Sequence, residues 1–200
     1  MGENILFAIN TEDDYERLKS SLRKYTGLKY RGTTFTLSGE YSKYGLKEAI
    51  DALNIKNRSK RIEYIYDTAC ELVDRFNNVN EICCPFTDNR CPDCKHNSHV
   101  NGCCYHCSLQ STKGCPTKNL SCKLYFCEYM KEHHHPLTMD DLDILSLLSR
   151  SQRAILRENV FVSRKIAISL LKIGSYIVFG LFSVYKLFTL RNIRNRADTE

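Results

Sequence analysis

The sequence predicts an α+β protein: a small mixed N-terminal region, a Cys-rich loop module held by metal, and a helical C-terminal part. Three observations carry that prediction. Short β-branched and aromatic runs alternate with helix-like patterns up to about residue 57. Apolar residues recur at helical spacing from Ser59 to Phe76 and again after Pro136. Between these, ten of the 11 cysteines crowd into the 45 residues from Cys83 to Cys127, where periodicity vanishes. The resulting division is a small α/β region over 1–57, a connecting helix over 58–80, a Cys-rich metal-binding module over 81–131, and a helical region over 137–196 with an apolar helix at 163–190.

In chain order, Ile5 to Ile9 suits a short strand. Thr11 followed by Asp14 resembles a capping box, opening a helix through about Tyr25 with Gly27 as its stop. Thr33 to Leu37 is β-branched and aromatic and reads as a strand; Leu46 to Leu53 reads as a short helix. The core of this region alone is marginal for its size. From Ser59, the residues Ile62, Ile65, Tyr66, Ala69, Leu72, Val73 and Phe76 form an apolar stripe, leaving Lys60, Glu63, Asp67, Glu71 and Asp74 on the wet face. Cys70 sits beside the stripe and reads as a buried core thiol. Thr138 with Asp141 suggests a second capping box ahead of Leu142, Leu145, Leu148 and Ile155.

The 200 residues allow one domain or two small ones, and 42% hydrophobic with 26% charged residues describes a globular chain. That excludes a disordered, collagen-like or polytopic membrane protein. A formal charge of +6 permits an anionic partner without requiring one.

Dense cysteines mean either a disulfide framework in an oxidising compartment or a metal module in a reducing one. The first residues lack a basic start, have only a five-residue apolar run, and place Glu12, Asp13 and Asp14 where a cleavage region belongs. The expectation is therefore a cytoplasmic chain, at most at the inner face of the membrane, with reduced thiols. Cys91-Pro92-Asp93-Cys94 and Cys104-Tyr105-His106-Cys107 are two C-x2-C pairs, a spacing that lets two thiolates grip one ion from a tight turn. Cys115, Cys122 and Cys127 follow, and Cys83-Cys84 and Cys103-Cys104 are doublets. At four ligands per tetrahedral site, ten thiolates suffice for two ions. One site is expected around Cys91 and Cys94, another around Cys104, Cys107, Cys115, Cys122 and Cys127. His96, His99 and His106 are substitutes, and the pairing stays open. Zinc is favoured over an iron–sulfur cluster, because a C-x2-C-x2-C run is absent. A thiolate-saturated site has no open position for hydrolysis.

The stretch from Gly102-Cys103-Cys104-Tyr105-His106-Cys107 through Gly114-Cys115 to Cys122-Lys123-Leu124-Tyr125-Phe126-Cys127 resembles cysteine-rich modules of uncharacterised bacterial proteins. It is also distantly similar to the zinc/iron-chelating family with the pattern C-x2-C-x2-C-C, then Gly-Cys, then Cys-Arg-x-Tyr-Pro. Cys91, Cys94, Cys103-Cys104, Gly114-Cys115 and Cys122-Lys123-Leu124-Tyr125 have counterparts there, with Lys123 in place of the Arg. The resemblance covers about residues 83–127 and implies metal binding.

Other features weigh less. His133-His134-His135 is a polar linker before Pro136 rather than a metal grip, since successive side chains diverge. Arg90, Lys95, Lys113, Lys118 and Lys123 with Tyr105, Tyr125 and Phe126 are compatible with nucleic acid, but an ordinary solvated face is favoured. Arg150, Arg153 and Arg157 form a basic stripe that Arg164 and Lys165 continue. The following stretch meets the hydropathy criterion for a membrane helix, yet its longest uncharged run, Ile173 to Tyr185, has 13 residues, short of the roughly 20 a span takes. Membrane contact through 163–190 therefore stands open. No Gly-rich phosphate loop, G-x-S-x-G or H-E-x-x-H occurs. The sequence leans away from an enzyme and towards a non-enzymatic metal-binding module that presents a surface to an unknown protein partner. The alternatives are an iron–sulfur redox or sensing protein and a membrane-attached effector or adaptor.

Overall fold

Two parallel strands, β1 (Asn4–Ala8) and β2 (Thr34–Ser38), pair in register from Asn4 with Thr34 to Ala8 with Ser38. Parallel pairing demands a crossover, here supplied by α1 (Glu12–Ser21) and two 3₁₀ turns, Leu22–Thr26 and Leu28–Tyr30. This computed structural model describes residues 3–39, 44–80, 82, 119–126, 131–132, 134–158, 162–175, 177, 180–181 and 184–185. Its remaining elements are α2 (Leu46–Asn54), α3 (Arg58–Val79), α4 (Leu120–Lys123), a 3₁₀ segment Asp143–Leu147, α5 (Arg150–Glu158) and α6 (Arg164–Ile173). The fold is mixed and mostly helical, with one small parallel sheet.

Local chemistry explains the N-terminal elements. Thr11 Oγ1 accepts the Asp14 N–H at 3.2 Å while the Asp14 carboxylate accepts the Thr11 N–H at 3.2 Å, the expected capping box. Hydrogen bonding to the carboxylate, from the Thr11 side chain first and then from the Asn10 N–H, holds the Asp14 carboxyl below its ordinary range. The helix expected through Tyr25 is α-helical only to Ser21, then tightens into a 3₁₀ turn, a common way to end a helix. β2 gains an unusual neighbour: the Asn54 side chain accepts the Phe35 N–H and donates to the Phe35 carbonyl, both at 2.8 Å, as a third strand would. Just after β2, Gly39 has φ +115°, and a Cβ there would stand 2.1 Å from the Ile9 carbonyl oxygen. Only glycine fits that approach.

The 22-residue helix α3 is the spine, and its expected stripe is the buried face, with Ile62, Ile65, Tyr66, Ala69, Leu72 and Val73 inside and Phe76 packed at the edge. Cys70 is buried there as expected. Around α3 the buried residues of the N-terminal region, of Leu120 and of 137–171 form one continuous cluster. The marginal N-terminal core is thus completed by Ile144, Leu145 and their neighbours.

Two expectations need correction. Thr138 does donate to Asp141, from its N–H at 2.7 Å and its hydroxyl at 2.6 Å, but a turn and the 3₁₀ segment follow rather than an α-helix. The box that opens α5 is Ser149 with Gln152, whose side chains accept each other's backbone N–H at 3.1 and 2.8 Å. Leu142, Leu145, Leu148 and Ile155 are nevertheless all buried. The single helix expected over 163–190 is also interrupted. α6 ends at Ile173 because Gly174 turns left-handed at φ +61°, and its N–H bonds back to Leu170. No helix among the described residues is long and apolar enough to cross a membrane.

Candidate metal centre

The frame that carries the cysteine stretch is well defined at both ends. On the entry side, α3 runs out at Val79, and Ile82 is buried with its N–H donating to the Asn77 carbonyl at 2.8 Å. On the exit side, the short helix α4 is pinned from several directions. Asn119 is almost fully buried; its Oδ1 accepts the Cys122 N–H at 2.8 Å and its Nδ2 donates to the Val162 carbonyl at 2.6 Å. The Leu120 N–H donates to the Tyr66 hydroxyl on α3 at 3.1 Å, and Leu120 is fully buried. Ser121 donates to the Leu156 carbonyl of α5, and Lys123 pairs with Asp74 of α3.

Four residues cannot hold a helix through their own hydrogen bonds. What fixes α4 is this set of contacts to α3, to α5 and to the connection that leads into α6. The consequence is that Cys122 stands on a backbone whose position is set by the helical body. It is half-buried. Tyr66 lies within electrostatic reach of both Cys122 and Cys70, and burial pushes its phenol above the ordinary range.

The two described thiols differ in what they can do. Burial pushes the Cys70 thiol up to about 12, against a pull from Lys123 in the other direction. At neutral pH, with its surroundings as they stand, it is a protonated core group. Cys122, at the end of the cysteine stretch, is the ligand candidate the structure places. Cys83, Cys84, Cys91, Cys94, Cys103, Cys104, Cys107, Cys115 and Cys127 lie outside the described residues, as do His96, His99, His106 and His133. Among the described residues, no group of three or more His, Cys, Asp or Glu side chains forms a metal site, and that includes His134 and His135.

The nucleic-acid alternative loses one of its cations here. Lys123 is engaged with Asp74 and only 8% of its side chain is exposed. Phe126 is buried while Tyr125 is exposed. Beside α4 lies an open cleft of about 550 Å³, floored by Leu120, Leu124 and Leu156 and edged by Lys131 and Arg157.

Sequence reasoning passed over the groups that do the anchoring. Asn119, three residues before Cys122, has the Asn-x-x spacing of an N-cap, a signal that was available. The Tyr66 hydroxyl gave none, because an apolar stripe position does not announce what its polar tip meets. Comparison of the chain with protein-family models, curated proteins and solved structures finds no match.

Proposed function

We propose that the protein is a metal-binding, non-enzymatic interaction module in which the cysteines between Cys83 and Cys127 hold structural zinc. One observation carries the reading: a folded helical body grips both ends of a chain segment that has almost nothing apolar of its own. In the 36 residues from 83 to 118, the large apolar residues besides cysteine are Phe86, Val100, Tyr105 and Leu109. Four such side chains cannot offset the conformational entropy of ordering that length, about 1–2 kcal/mol per residue. Thiolate coordination adds a larger contribution than these side chains do, since zinc sites in small peptides supply roughly 10–16 kcal/mol of apparent binding energy each.

The donor set fits zinc. Ten soft thiolates suffice for two tetrahedral sites, and Cys122 is presented by an anchored turn with its N–H already satisfied by Asn119. Zinc bound there would act as a crosslink between loops. The chain's own residues do the rest: Asn119, Leu120 and Ser121 fix where the module leaves the body, and Cys70 stays out of the coordination sphere. A reducing compartment, the cytoplasm, keeps these thiols available. The partner is another protein, received on the surface that the coordinated loops form.

The test is elemental analysis and absorption spectroscopy of protein purified without oxygen. A colourless protein with two zinc ions per chain is expected. Iron with sulfide and visible absorption would replace this reading with a redox or sensing cluster. A metal-free, natively shaped protein with its sulfurs paired would end both.

A further inference from the structure

We propose that the segment after Gly174 is a surface anchor that lays an apolar helical face into the interface of an anionic lipid bilayer. The inference is independent of the metal reading and rests on four observations.

The break before the segment is built into the fold. α6 packs against the body through Ala167, Ile168 and Leu171, then stops at the left-handed Gly174. α5 holds the stop in place: the Ser151 hydroxyl donates to the Gly174 carbonyl at 2.6 Å, and Gln152 Nε2 donates to the Leu171 carbonyl at 2.8 Å. The chain beyond is therefore a separate piece.

The large side chains among its described residues face outward. The described residues 177, 180, 181, 184 and 185 are helical and exposed. Ile177 is 76% exposed, Leu181 68%, Val184 52% and Tyr185 66%. Their spacing of i, i+4, i+7 and i+8 places them on one helical face. A Cβ added at Gly180 would meet nothing within 4 Å. Contiguous apolar surface of this kind on a protein marks an interaction site.

Charge identifies the partner. From residue 159 to 197 there is no Asp or Glu, while Arg164, Lys165, Lys172, Lys186, Arg191, Arg194 and Arg196 are all basic. Asp67 and Glu63 of α3 take up Arg164 and Lys172. Lys165 is exposed, and four further cations follow the apolar residues in the sequence. An apolar face flanked in sequence by cations, in a stretch without acidic residues, complements anionic headgroups. A second copy of the chain would bring the same positive charge against itself.

Length sets the mode. Between Gly174 and Lys186 stand 11 uncharged residues, about 17 Å of helix against a hydrocarbon core of about 30 Å. Such a segment lies in the interface and does not cross.

The experiment is co-sedimentation of the full chain with vesicles of phosphatidylcholine alone and of phosphatidylcholine mixed with phosphatidylglycerol. The chain is expected to sediment with the mixed vesicles and to partition at least about tenfold less in high salt, where surface charge is screened. Ile177→Ser with Leu181→Ser is expected to lower partitioning by about tenfold or more, with far-UV circular dichroism unchanged because both side chains are exposed. Absence of sedimentation with either vesicle would overturn the proposal. So would equal binding to neutral vesicles, unchanged binding of the double variant, or lipid-independent self-association abolished by the same substitutions.

Discussion

Asp143 is fully buried and still finds two partners: the Tyr15 hydroxyl donates to its Oδ1 at 2.7 Å, and the Lys19 ammonium lies 3.1 Å from the same oxygen. Its Oδ2 meets no donor among the described residues. Burial raises the Asp143 carboxyl above its ordinary 3.8, and the bonds from Tyr15 and Lys19 only partly oppose this. An acid raised in the folded state binds its proton more tightly there than in the unfolded chain. Its stabilising contribution is therefore complete below about pH 3.8 and is lost as pH rises through the folded value. In urea titrations from about pH 4 upward, the native chain should lose stability relative to Asp143→Asn, with a slope no steeper than about 1.4 kcal/mol per pH unit. Parallel stability curves for the two proteins would contradict it. Nothing in the sequence marked this carboxylate, because Asp140, Asp141 and Asp143 stand together and only packing chooses which one is buried. The Cys70 thiol was readable for the opposite reason: its place beside an apolar stripe already implied burial.

Elements were legible where their signals were local. The Thr11 box, both strands to within a residue, and the buried face of α3 follow from spacing alone. The second box was misplaced because Thr138–Asp141 and Ser149–Gln152 both offer side chains that can cap, and only the second is followed by an uninterrupted α-helix. α4 was not legible as an element at all. Its existence depends on Tyr66 and Leu156, distant in sequence, meeting the N–H of Leu120 and the hydroxyl of Ser121. Tyr66→Phe should therefore act locally as well as globally. It leaves the buried Leu120 N–H without its acceptor, costing about 1–3 kcal/mol. Hydrogen exchange at the Leu120 amide should accelerate more than at amides in the middle of α3. Uniform acceleration across both would mean that α4 is not held in place through this bond.

For the molecule as a whole, one kind of cohesion is visible and a second is proposed. A single apolar cluster spans the sheet, α2, α3 and the C-terminal helices; the cysteine stretch is attached to it through Ile82 and α4. The composition of the stretch is what suggests a metal module, while apolar spacing made the body readable. Which thiols would share an ion is legible in neither, since ligand pairing is set by loop geometry and not by spacing. The most direct test is a brief pulse of a thiol-alkylating reagent on protein purified without oxygen, before and after chelation, with the modified cysteines mapped by mass spectrometry. The expected result is that eight of the ten cysteines from Cys83 to Cys127, the number two tetrahedral sites take, are protected until the chelator is added and then react. Cys70 should stay unmodified in both states, because the apolar body keeps its fold without metal. A stretch whose thiols all react fully before chelation, or resist alkylation until a reductant is supplied, would contradict coordination as the force that orders it.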